Sequence, residues 1–415
     1  MQTLSRSLST DFSALRPDIR ALQSDLVSWR RQLHQRPELG FKEDITARFI
    51  GDRLRAWDIQ YSSGIATTGI VAVIEGTGLH PCEHQSEQKR PVLAIRADMD
   101  GLPVQELNEV PYRSVYEGKM HACGHDGHVA IALGTAKYLN EHRDRFAGIV
   151  KIIFQPAEEG PGGAKPMVEA GALRNPDVDA LVGLHLWNNL PLGTLGVCSG
   201  PMMAATEFFT CRIQGKGGHG AIPQQTIDAV VVGAQVVNAL QTIVARNIDP
   251  LKSAVVSVGE FKAGTAVNVI ADSAYLSGTV RYFDPDYGEL IPERIEQVIA
   301  GICAAHGASY ELDYQKLYPP VINDDAIAEL VRSVALSVVE TPVGVVPECQ
   351  TMGGEDVSFF LQAVPGCYFF LGSANQEKGL DYPHHHPRFN FDETALGVGV
   401  ETFVRIVERF CAASS

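Results

Sequence analysis

The sequence predicts an α/β protein in which a smaller, ferredoxin-like α+β domain is inserted into a large α/β domain. Short apolar runs alternate with helical stretches through the first part of the chain, and a β-α-β-β-α-β order follows. The 415 residues also exceed the roughly 250–300 at which a single hydrophobic core stops growing. We expect the large domain to comprise residues 1–200 and 316–415, and the inserted domain to comprise residues 201–315.

The large domain is predicted to begin with an amphipathic helix that ends before Pro37. Its apolar residues recur at spacings of three and four: Ile19, Leu22, Leu26, Trp29 and Leu33. Apolar runs then predict buried strands: GIVAVIEG (69–76), VLAIRADM (92–99), IVKIIFQP (149–156), ALVGLHLW (180–187) and VPGCYFFLG (364–372). Helices around 127–141 and 164–171 separate several of these runs. Strands that are apolar on both sides indicate a sheet covered on both faces. The polar segment from His80 to Arg90 is predicted to be a loop.

The inserted domain is predicted from a change of pattern near Gly200. The stretch TEFFTCRIQGKGGHG (206–220) indicates a strand followed by a glycine-rich turn. The next elements, in order, are a helix (about 228–244), two strands (252–262 and 269–283), a helix (about 289–306) and a strand (308–315). This order is the split β-α-β pattern of ferredoxin-like domains.

Composition argues against two classes of partner. The chain has 34 Lys+Arg against 49 Asp+Glu, a net charge of −15, and no basic stripe, so we expect no nucleic-acid partner. No run of 18 apolar residues is present, so we expect no membrane span, and the first twenty residues lack the apolar core of a secretory signal. The eight cysteines are scattered without regular spacing, which favours a reducing cytoplasm over a disulfide framework.

The segment HACGHDGH, residues 121–128, concentrates groups that bind metals or move protons. Cys123 and His125 are two residues apart. Side chains with this spacing point in different directions on a helix, but they can lie on one side of a turning segment. We therefore expect a loop that runs into a helix beginning near Asp126. On these residues alone, three interpretations stay open: a metal site, a cysteine nucleophile with a histidine base, and a satisfied polar cluster.

A second segment, QPAEEGPGGA (155–164), follows an apolar strand and places two carboxylates at its carboxyl end. Open α/β sheets bind ligands at that end of their strands. Glu158 and Glu159 can therefore divide the work, one binding a metal and the other moving protons. A solvated acidic turn is the alternative.

Histidines farther along the chain complete the set. A lone histidine in a buried strand, such as His185, is more often a core residue with a backbone partner, and the run in YPHHHPRFNFDE (382–393) would be discounted in isolation. Cys123, His125, Glu159, His185 and one C-terminal histidine nevertheless make five candidate ligands. A mononuclear catalytic zinc typically uses three protein ligands. Five ligands and a bridging water instead suit two metals about 3.5–4 Å apart, which a thiolate can bridge.

Taken together, these motifs resemble the M20 peptidase family, in particular its amidohydrolase branch of hippurate hydrolases, N-acyl-amino-acid amidohydrolases and auxin-conjugate hydrolases. The resemblance covers nearly the whole chain: LHQRPELGF (33–41), RADMDGLPVQE (96–106), MHACGHDGH (120–128), FQPAEEGPGGA (154–164), GLHLWN (183–188), GKGGHGAIP (215–223), NVIAD with GTVRYF (268–283), GGED (353–356) and HHPRFNFDE (385–393).

The resemblance implies a role for each matching residue. The metal ligands would be Cys123, His125, Glu159, His185 and His385, the last being placed by an H-x-P step. Glu158 would be the general base, and Asp98 the aspartate beside the metals. In the inserted domain, His219 would steady the oxyanion, often from a partner subunit, while Asn268 and Arg281 would hold the substrate's carbonyl or carboxylate. Arg96 stands where most of the wider family has a histidine ligand, a change that the amidohydrolase branch shares.

The resemblance also implies a fold, a reaction and an assembly. The large domain would be a metallopeptidase-like catalytic domain, and the inserted domain a lid that also joins subunits of a homo-oligomer. The expected reaction is hydrolysis of linear amides, namely N-acyl-L-amino acids of the hippurate type, with two divalent ions (Zn, Mn, Co or Ni) per subunit. A metallo-dipeptidase or carboxypeptidase of the same family is the alternative, and a thiol hydrolase using Cys123 and His125 is a rival of another class.

Overall fold

The computed structural model describes residues 15–78, 90–339 and 344–412. Its chain forms two compact units. The larger unit comprises Met1–Gly200, Ile322–Cys349 and Asp356–Ser415, and the smaller comprises Pro201–Val321 and Gln350–Glu355. The predicted class, an α/β fold carrying an inserted α+β unit, is confirmed. The predicted loop from His80 to Arg90 lies, except for Arg90, outside the described residues.

The described elements are numbered in chain order. The strands are β1 (Gln60–Ile65), β2 (Gly69–Glu75), β3 (Val92–Asp98), β4 (Ile149–Gln155), β5 (Ala180–Pro191), β6 (Leu195–Gly196), β7 (Gly200–Met203), β8 (Thr206–Gln214), β9 (Gly218–His219), β10 (Ala254–Ala263), β11 (Val269–Ile270), β12 (Ser273–Tyr282), β13 (Ser309–Tyr318), β14 (Val321–Asn323), β15 (Val345–Val346) and β16 (Gly366–Ala374). The helices are α1 (Pro17–Ala21), α2 (Gln23–His34), α3 (Asp44–Ala56), α4 (His125–Glu141), α5 (Ala164–Glu169), α6 (Ala229–Asn247), α7 (Tyr287–His306), α8 (Asp325–Val338), α9 (Ser358–Ala363) and α10 (Ala395–Phe410).

The larger unit is built on an eight-stranded mixed sheet with the strand order β1-β2-β4-β3-β5-β16-β6-β15. Strand β3 runs parallel to both β4 and β5, and β5 runs parallel to β16. Parallel neighbours bring their carboxyl ends to one edge of the sheet, where ligand sites form. Arg96 of β3 pairs with Gly183 of β5. Asp98 and His185 lie two residues farther along these two strands, so both reach that edge at the same level.

The central strands are buried on both faces, as their continuous apolar runs predict. Every residue of β3 is buried, and so are all residues of β4 after Ile149. Helix α4 packs against β3 on one side and against α2 and α10 on the other, which explains why nearly all of its residues are buried. The predicted first helix is divided at Leu22 into α1 and α2, and its five predicted apolar residues are all in the core.

The smaller unit has the predicted β-α-β-β-α-β order, formed by β8, α6, β10, β12, α7 and β13. Its four-stranded antiparallel sheet has the strand order β10-β12-β8-β13. Helices α6 and α7 pack on this sheet through apolar residues such as Val236, Leu240 and Ile295, which are fully buried. A separate two-stranded ribbon pairs β9 with β11.

Among the described residues, α6 alone is long and apolar enough to span a membrane by length and composition. This is weak evidence of a span, because core helices have the same composition. One face of α6, which includes Val232, Val236 and Ile243, is buried against the sheet of the smaller unit. Packing within that unit therefore explains the apolar character of this face.

Candidate functional site

The segment before α4 places two candidate ligands at the start of a helix. Gly124 precedes the first helical residue, His125, and has φ +94°, a left-handed conformation that favours glycine. Because of this turn, Cys123 lies outside the helix. The rule that residues two apart on a helix point in different directions therefore does not apply to Cys123 and His125. The predicted loop running into a helix is confirmed, and the helix begins one residue before the predicted Asp126.

Among the described residues, five groups of side chains could each hold a metal ion, because their ligand atoms lie within 4.8 Å of one another, and three of these groups consist of predicted ligands and Glu158 alone. These three groups are Cys123 with His125 and His185, Cys123 with Glu159 and His385, and His125 with Glu158 and Glu159. The structure thus brings together all five predicted ligands and Glu158 around one place in the larger unit. These residues come from α4, β5 and three loops that are far apart in sequence.

Hydrogen bonds to the histidine rings decide which ring nitrogens are available as ligands. His185 Nδ1 lies 2.7 Å from the Leu186 carbonyl oxygen, which can only accept, so this nitrogen carries the proton. Its Nε2 therefore presents a lone pair, 3.4 Å from Cys123 Sγ. His125 Nδ1 is 3.2 Å from Asp100 Oδ1, so the neutral ring of His125, the form that binds a metal, has its lone pair on Nε2 as well. Neutral histidines oriented in this way by a second hydrogen bond are typical of metal ligands.

Two buried ligand atoms have no hydrogen-bond partner among the described residues: His125 Nε2 and Glu159 Oε1. They lie 3.9 Å apart. His385 Nε2 lies 3.2 Å from Glu159 Oε1, within ion-pair distance of this oxygen. Buried polar atoms are normally paired, so a His125 Nε2 without a hydrogen bond, beside a thiol, a carboxylate and two further imidazoles, fits a bound cation.

Asp100, which the sequence analysis did not single out, connects three of these residues. Its buried carboxylate accepts hydrogen bonds from the backbone N–H of Glu158 (3.0 Å) and of Glu159 (3.1 Å), and from His125 Nδ1. One side chain therefore fixes the position of the proposed base and of two proposed ligands. A carboxylate that accepts hydrogen bonds from backbone N–H groups cannot be recognised from the spacing of residue types in a sequence. The only available signal was the position of Asp100 in DMDG, just after a buried strand.

Asp98 lies at the end of β3 and is fully buried. It accepts a hydrogen bond from His128 Nδ1 at 2.6 Å and another from Arg96 Nη1 at 2.7 Å. His128 Nε2 in turn accepts from the backbone N–H of Leu186, so His128 has both nitrogens occupied. Asp98 and His128 therefore form a support behind the candidate ligand residues on α4 and β5.

Arg96 fills the position where a first-strand histidine would otherwise project. Its guanidinium donates to Gln155, to Asp98 and, at 3.2 Å, to Asp356, and all four side chains are buried. Asp356 also accepts from the backbone N–H of Gly163 and Ala164, at the end of the glycine-rich loop. The arginine is thus a structural cation that links β3, β4 and this loop.

Electrostatics around Cys123 oppose a thiolate nucleophile in the free protein. Burial, followed by the charges of Glu159 and Glu158, raises the pKa of Cys123 well above its usual value. Burial likewise lowers the pKa of the nearest imidazole, His185, well below its usual value. A reactive cysteine needs a lowered pKa, so these shifts argue against the thiol hydrolase. A cation at the cluster would instead favour the thiolate.

The three C-terminal histidines have different surroundings. Burial lowers the pKa of His384 to about 3, and its Nε2 accepts from the backbone N–H of Asn188, so its Nδ1 carries a proton and cannot offer a lone pair. His386 Nδ1 accepts from the backbone N–H of Arg388. His385, with φ +65°, is the one whose ring nitrogen approaches Glu159. Its interaction with Glu159 raises the pKa of His385.

In the smaller unit, the structure brings His219 and Asn268 together. His219 pairs with Val269 in the β9–β11 ribbon, and the backbone N–H of Gly220 donates to the carbonyl of Asn268 at 2.8 Å. His219 Nδ1 accepts from the backbone N–H of Ala221 at 3.0 Å, so its Nε2 carries the proton of the neutral ring. Both side chains are exposed.

Arg281 lies elsewhere in the smaller unit, on β12, and is half-buried. Its guanidinium donates to the hydroxyl groups of Thr206 and Thr279. Gly354 provides room beside it, since an added Cβ there would come within 3.1 Å of Arg281 Nη1 and would collide with Thr206 Oγ1. Burial lowers the pKa of Arg281, and among the described residues no carboxylate is a hydrogen-bond partner of this side chain.

Comparison with known proteins agrees with these motifs. The sequence model of peptidase family M20/M25/M40 matches residues 94–409. The chain belongs to this family. It is therefore a hydrolase, and the resemblance that the motifs indicate is confirmed.

Three relatives illustrate the likeness. An N-acyl-L-amino acid amidohydrolase of Geobacillus stearothermophilus is 47% identical over 305 residues, which cover 73% of this chain and 79% of that protein. Thermostable carboxypeptidase 2 of Saccharolobus solfataricus is 37% identical over 400 residues, covering 95% and 98%. The Bacillus subtilis YXEP protein, described as a dinuclear metal binding peptidase, is 35% identical, with a TM-score of 0.80 over 95% of this chain and 100% of that chain.

Proposed function

We propose that this M20 hydrolase cleaves the amide bond of N-acyl-L-amino acids, including hippurate-like substrates, and releases a carboxylate and a free amino acid. The observation that carries the proposal is the buried His125 Nε2, which has no hydrogen-bond partner among the described residues and lies within a cluster that also contains Cys123, Glu159 and His185. The identity of 47% with a protein named N-acyl-L-amino acid amidohydrolase supports this substrate class.

In this proposal the cluster holds two divalent metal ions, Zn, Mn, Co or Ni. The ligands are Cys123, His125, Glu159, His185 and His385. Five ligands exceed the three that one catalytic zinc typically takes from a protein. Borderline ligands of this kind accept several transition metals. When bound, such ions lower the pKa of a coordinated water and polarise the amide carbonyl.

Glu158 is the proposed general base and acid. Its Oε2 lies 3.9 Å from His125 Nε2, so the carboxylate faces the cluster, and Asp100 holds its backbone. Glu158 accepts the proton of the attacking water and then donates it to the leaving amine. Asp98 supports this arrangement by holding His128 and Arg96.

Residues of the smaller unit are proposed to bind the substrate. The protonated Nε2 of His219 can donate a hydrogen bond to the developing oxyanion. Asn268 offers an amide donor for the same carbonyl region. Arg281 offers two parallel N–H donors for the α-carboxylate of the amino acid. In this proposal, residues 201–315 act as a lid and join the subunits of a cytoplasmic homo-oligomer, and residues 1–200 and 316–415 form the catalytic domain.

A substrate series tests the proposal. N-acetyl and N-benzoyl amino acids should be cleaved with a higher kcat/KM than dipeptides that share the same C-terminal residue. The matching primary amides, which lack the α-carboxylate, should be poorer substrates because Arg281 then loses its partner. A preference for dipeptides would instead support a peptidase, the candidate favoured by the 37% identity with a carboxypeptidase. Hydrolysis of neither class would contradict both.

A further inference from the structure

Two cysteines lie beside points at which the chain passes between the units. Strands β6 and β15 pair in parallel, with Gly196 opposite Val346, and the backbone N–H of Val197 donates to the Val346 carbonyl at 3.0 Å. The chain then continues to Cys198 on one segment and to Cys349 on the other. It leaves the larger unit after Gly200 and again after Cys349. The two cysteines therefore stand on two of the segments that connect the units.

Gly196 allows the two segments to come close together. A Cβ added at Gly196 would lie 2.9 Å from the Cβ of Cys349 and 3.2 Å from its Sγ, so a larger residue would displace Cys349. Cys198 is two residues farther along, and residues two apart on an extended segment point to the same side. The thiols of Cys198 and Cys349 form a hydrogen bond with each other.

The two thiols divide the properties of a reactive pair: Cys198 has the lowered pKa, and Cys349 is the partly exposed member. The shared hydrogen bond lowers the pKa of Cys198 and raises that of Cys349, and a lower pKa supplies the thiolate that attacks disulfides. Cys349 is partly exposed, whereas the neighbouring Cys367 is fully buried and burial raises its pKa. An external reagent therefore reaches the pair through Cys349.

We propose that Cys198 and Cys349 form a reversible disulfide that ties the two connecting segments together and slows turnover. The oxidant is a low-molecular-weight disulfide of the oxidised glutathione class. One cysteine sulfur attacks it, forming a mixed disulfide and releasing one small thiol; the second cysteine sulfur then displaces the other small thiol. Two protein thiols are oxidised, one external disulfide is reduced, and the two protons leave on the released thiols. The effect on turnover rests on the proposed function, whereas disulfide formation does not.

The test treats the metal-loaded protein with oxidised glutathione, removes the reagent, and analyses it by intact mass and peptide mapping. We expect the protein to lose two hydrogen atoms and two titratable thiols, and the map to join the peptide containing Cys198 to the peptide containing Cys349. Turnover of the substrate should fall and should return after dithiothreitol. This measurement on the unaltered chain does not depend on the folding of any variant.

Matched variants assign the effect to the pair. Cys349→Ser and Cys198→Ser should each keep full activity after the same treatment and removal of any mixed-disulfide adduct with a monothiol. Cys411→Ser, which removes a buried thiol elsewhere, should behave like the unaltered protein. A disulfide between other cysteines, no loss of thiols, or a Cys198–Cys349 disulfide that leaves turnover unchanged would each overturn the proposal. If the protein cleaves no amide at all, mass and mapping still decide whether the disulfide forms.

Discussion

The candidate site residues of the two units differ in how they are held. In the larger unit, His125, His185 and Glu158 are buried, at 0%, 4% and 7% exposure, and each has polar contacts that fix its position. In the smaller unit, His219 and Asn268 are exposed, and the side chain of His219 has a single described hydrogen bond, from the backbone of Ala221. Ligand atoms for a cation must be oriented in advance, whereas groups that contact a substrate must remain accessible to it.

This difference leads to distinct expectations for mutation. Substitutions in the buried cluster should change metal content, unless the residue moves protons without binding metal. Substitutions of the candidate residues in the smaller unit should change turnover or substrate affinity and leave metal content unaltered. The following predictions test this division, in order of decreasing effect.

The largest effect is expected for Glu158→Gln. General acid–base catalysis typically contributes about 10²–10⁴-fold, and this residue acts in two steps, so kcat should fall by at least that range. Metal content, measured by elemental analysis, should be unchanged. Glu169→Gln, an exposed carboxylate in the nearby α5, is the control and should leave kcat unchanged. A fully metallated Glu158→Gln protein with normal kcat would refute the assignment.

The next effect is expected for His219→Ala. Loss of one oxyanion donor typically lowers kcat by about 10²–10³-fold, and KM, metal content and unfolding temperature should change little. If His219 serves a neighbouring subunit, mixing inactive His219→Ala chains with inactive Glu158→Gln chains should restore part of the activity, because some sites regain both groups. No recovery after verified subunit exchange would show that the residue does not act between subunits.

A smaller effect, in both kcat and metal affinity, is expected for Asp100→Asn. An asparagine has one acceptor oxygen, so it cannot accept all three hydrogen bonds that Asp100 receives from Glu158, Glu159 and His125. Loss of such a supporting partner typically costs about 10–100-fold in metal affinity or activity. Metal titration of the stripped protein measures this, with the exposed Asp144→Asn as control. Unchanged metal affinity would show that Asp100 does not position the ligands.

The smallest effect is expected for Arg281→Lys. Lysine keeps the charge but cannot present two parallel donors to a carboxylate. A lost hydrogen bond between charged groups costs about 1.5–3 kcal/mol, so KM should rise roughly tenfold or more while kcat and metal content stay near normal. The primary amide of the same substrate serves as the control, because its KM should not depend on this residue. An equal rise for both substrates would contradict carboxylate binding.

Much of the fold follows from local patterns in the sequence. The buried strands β2 to β5 and β16 coincide with continuous apolar runs, and the β-α-β-β-α-β order of the smaller unit matches its alternating pattern. Strand β1 is mostly exposed and carries no apolar run, so periodicity did not reveal it. The division of the first helix at Leu22 likewise has no glycine or proline at the break to mark it.

The candidate site was predictable where a residue type itself carries chemistry. Cysteine, histidine and paired glutamates marked the cluster, and the family motifs selected among the histidines. The supporting carboxylates were harder to predict. Asp100 acts through backbone N–H groups, and Asp356 meets Arg96 across 260 residues of sequence. Such contacts depend on how the loops pack, and the spacing of residues within one segment does not reveal that packing.

The most direct test of the central claim is the activity of metal-stripped protein before and after metal is returned. The buried cluster predicts that a chelator abolishes hydrolysis of an N-acyl amino acid and that up to two equivalents of Zn, Mn, Co or Ni restore it. It also predicts that Cys123→Ala binds less metal per chain. Stripped protein that stays fully active, and that loses activity only when Cys123 is alkylated, would contradict the claim and establish a thiol hydrolase instead.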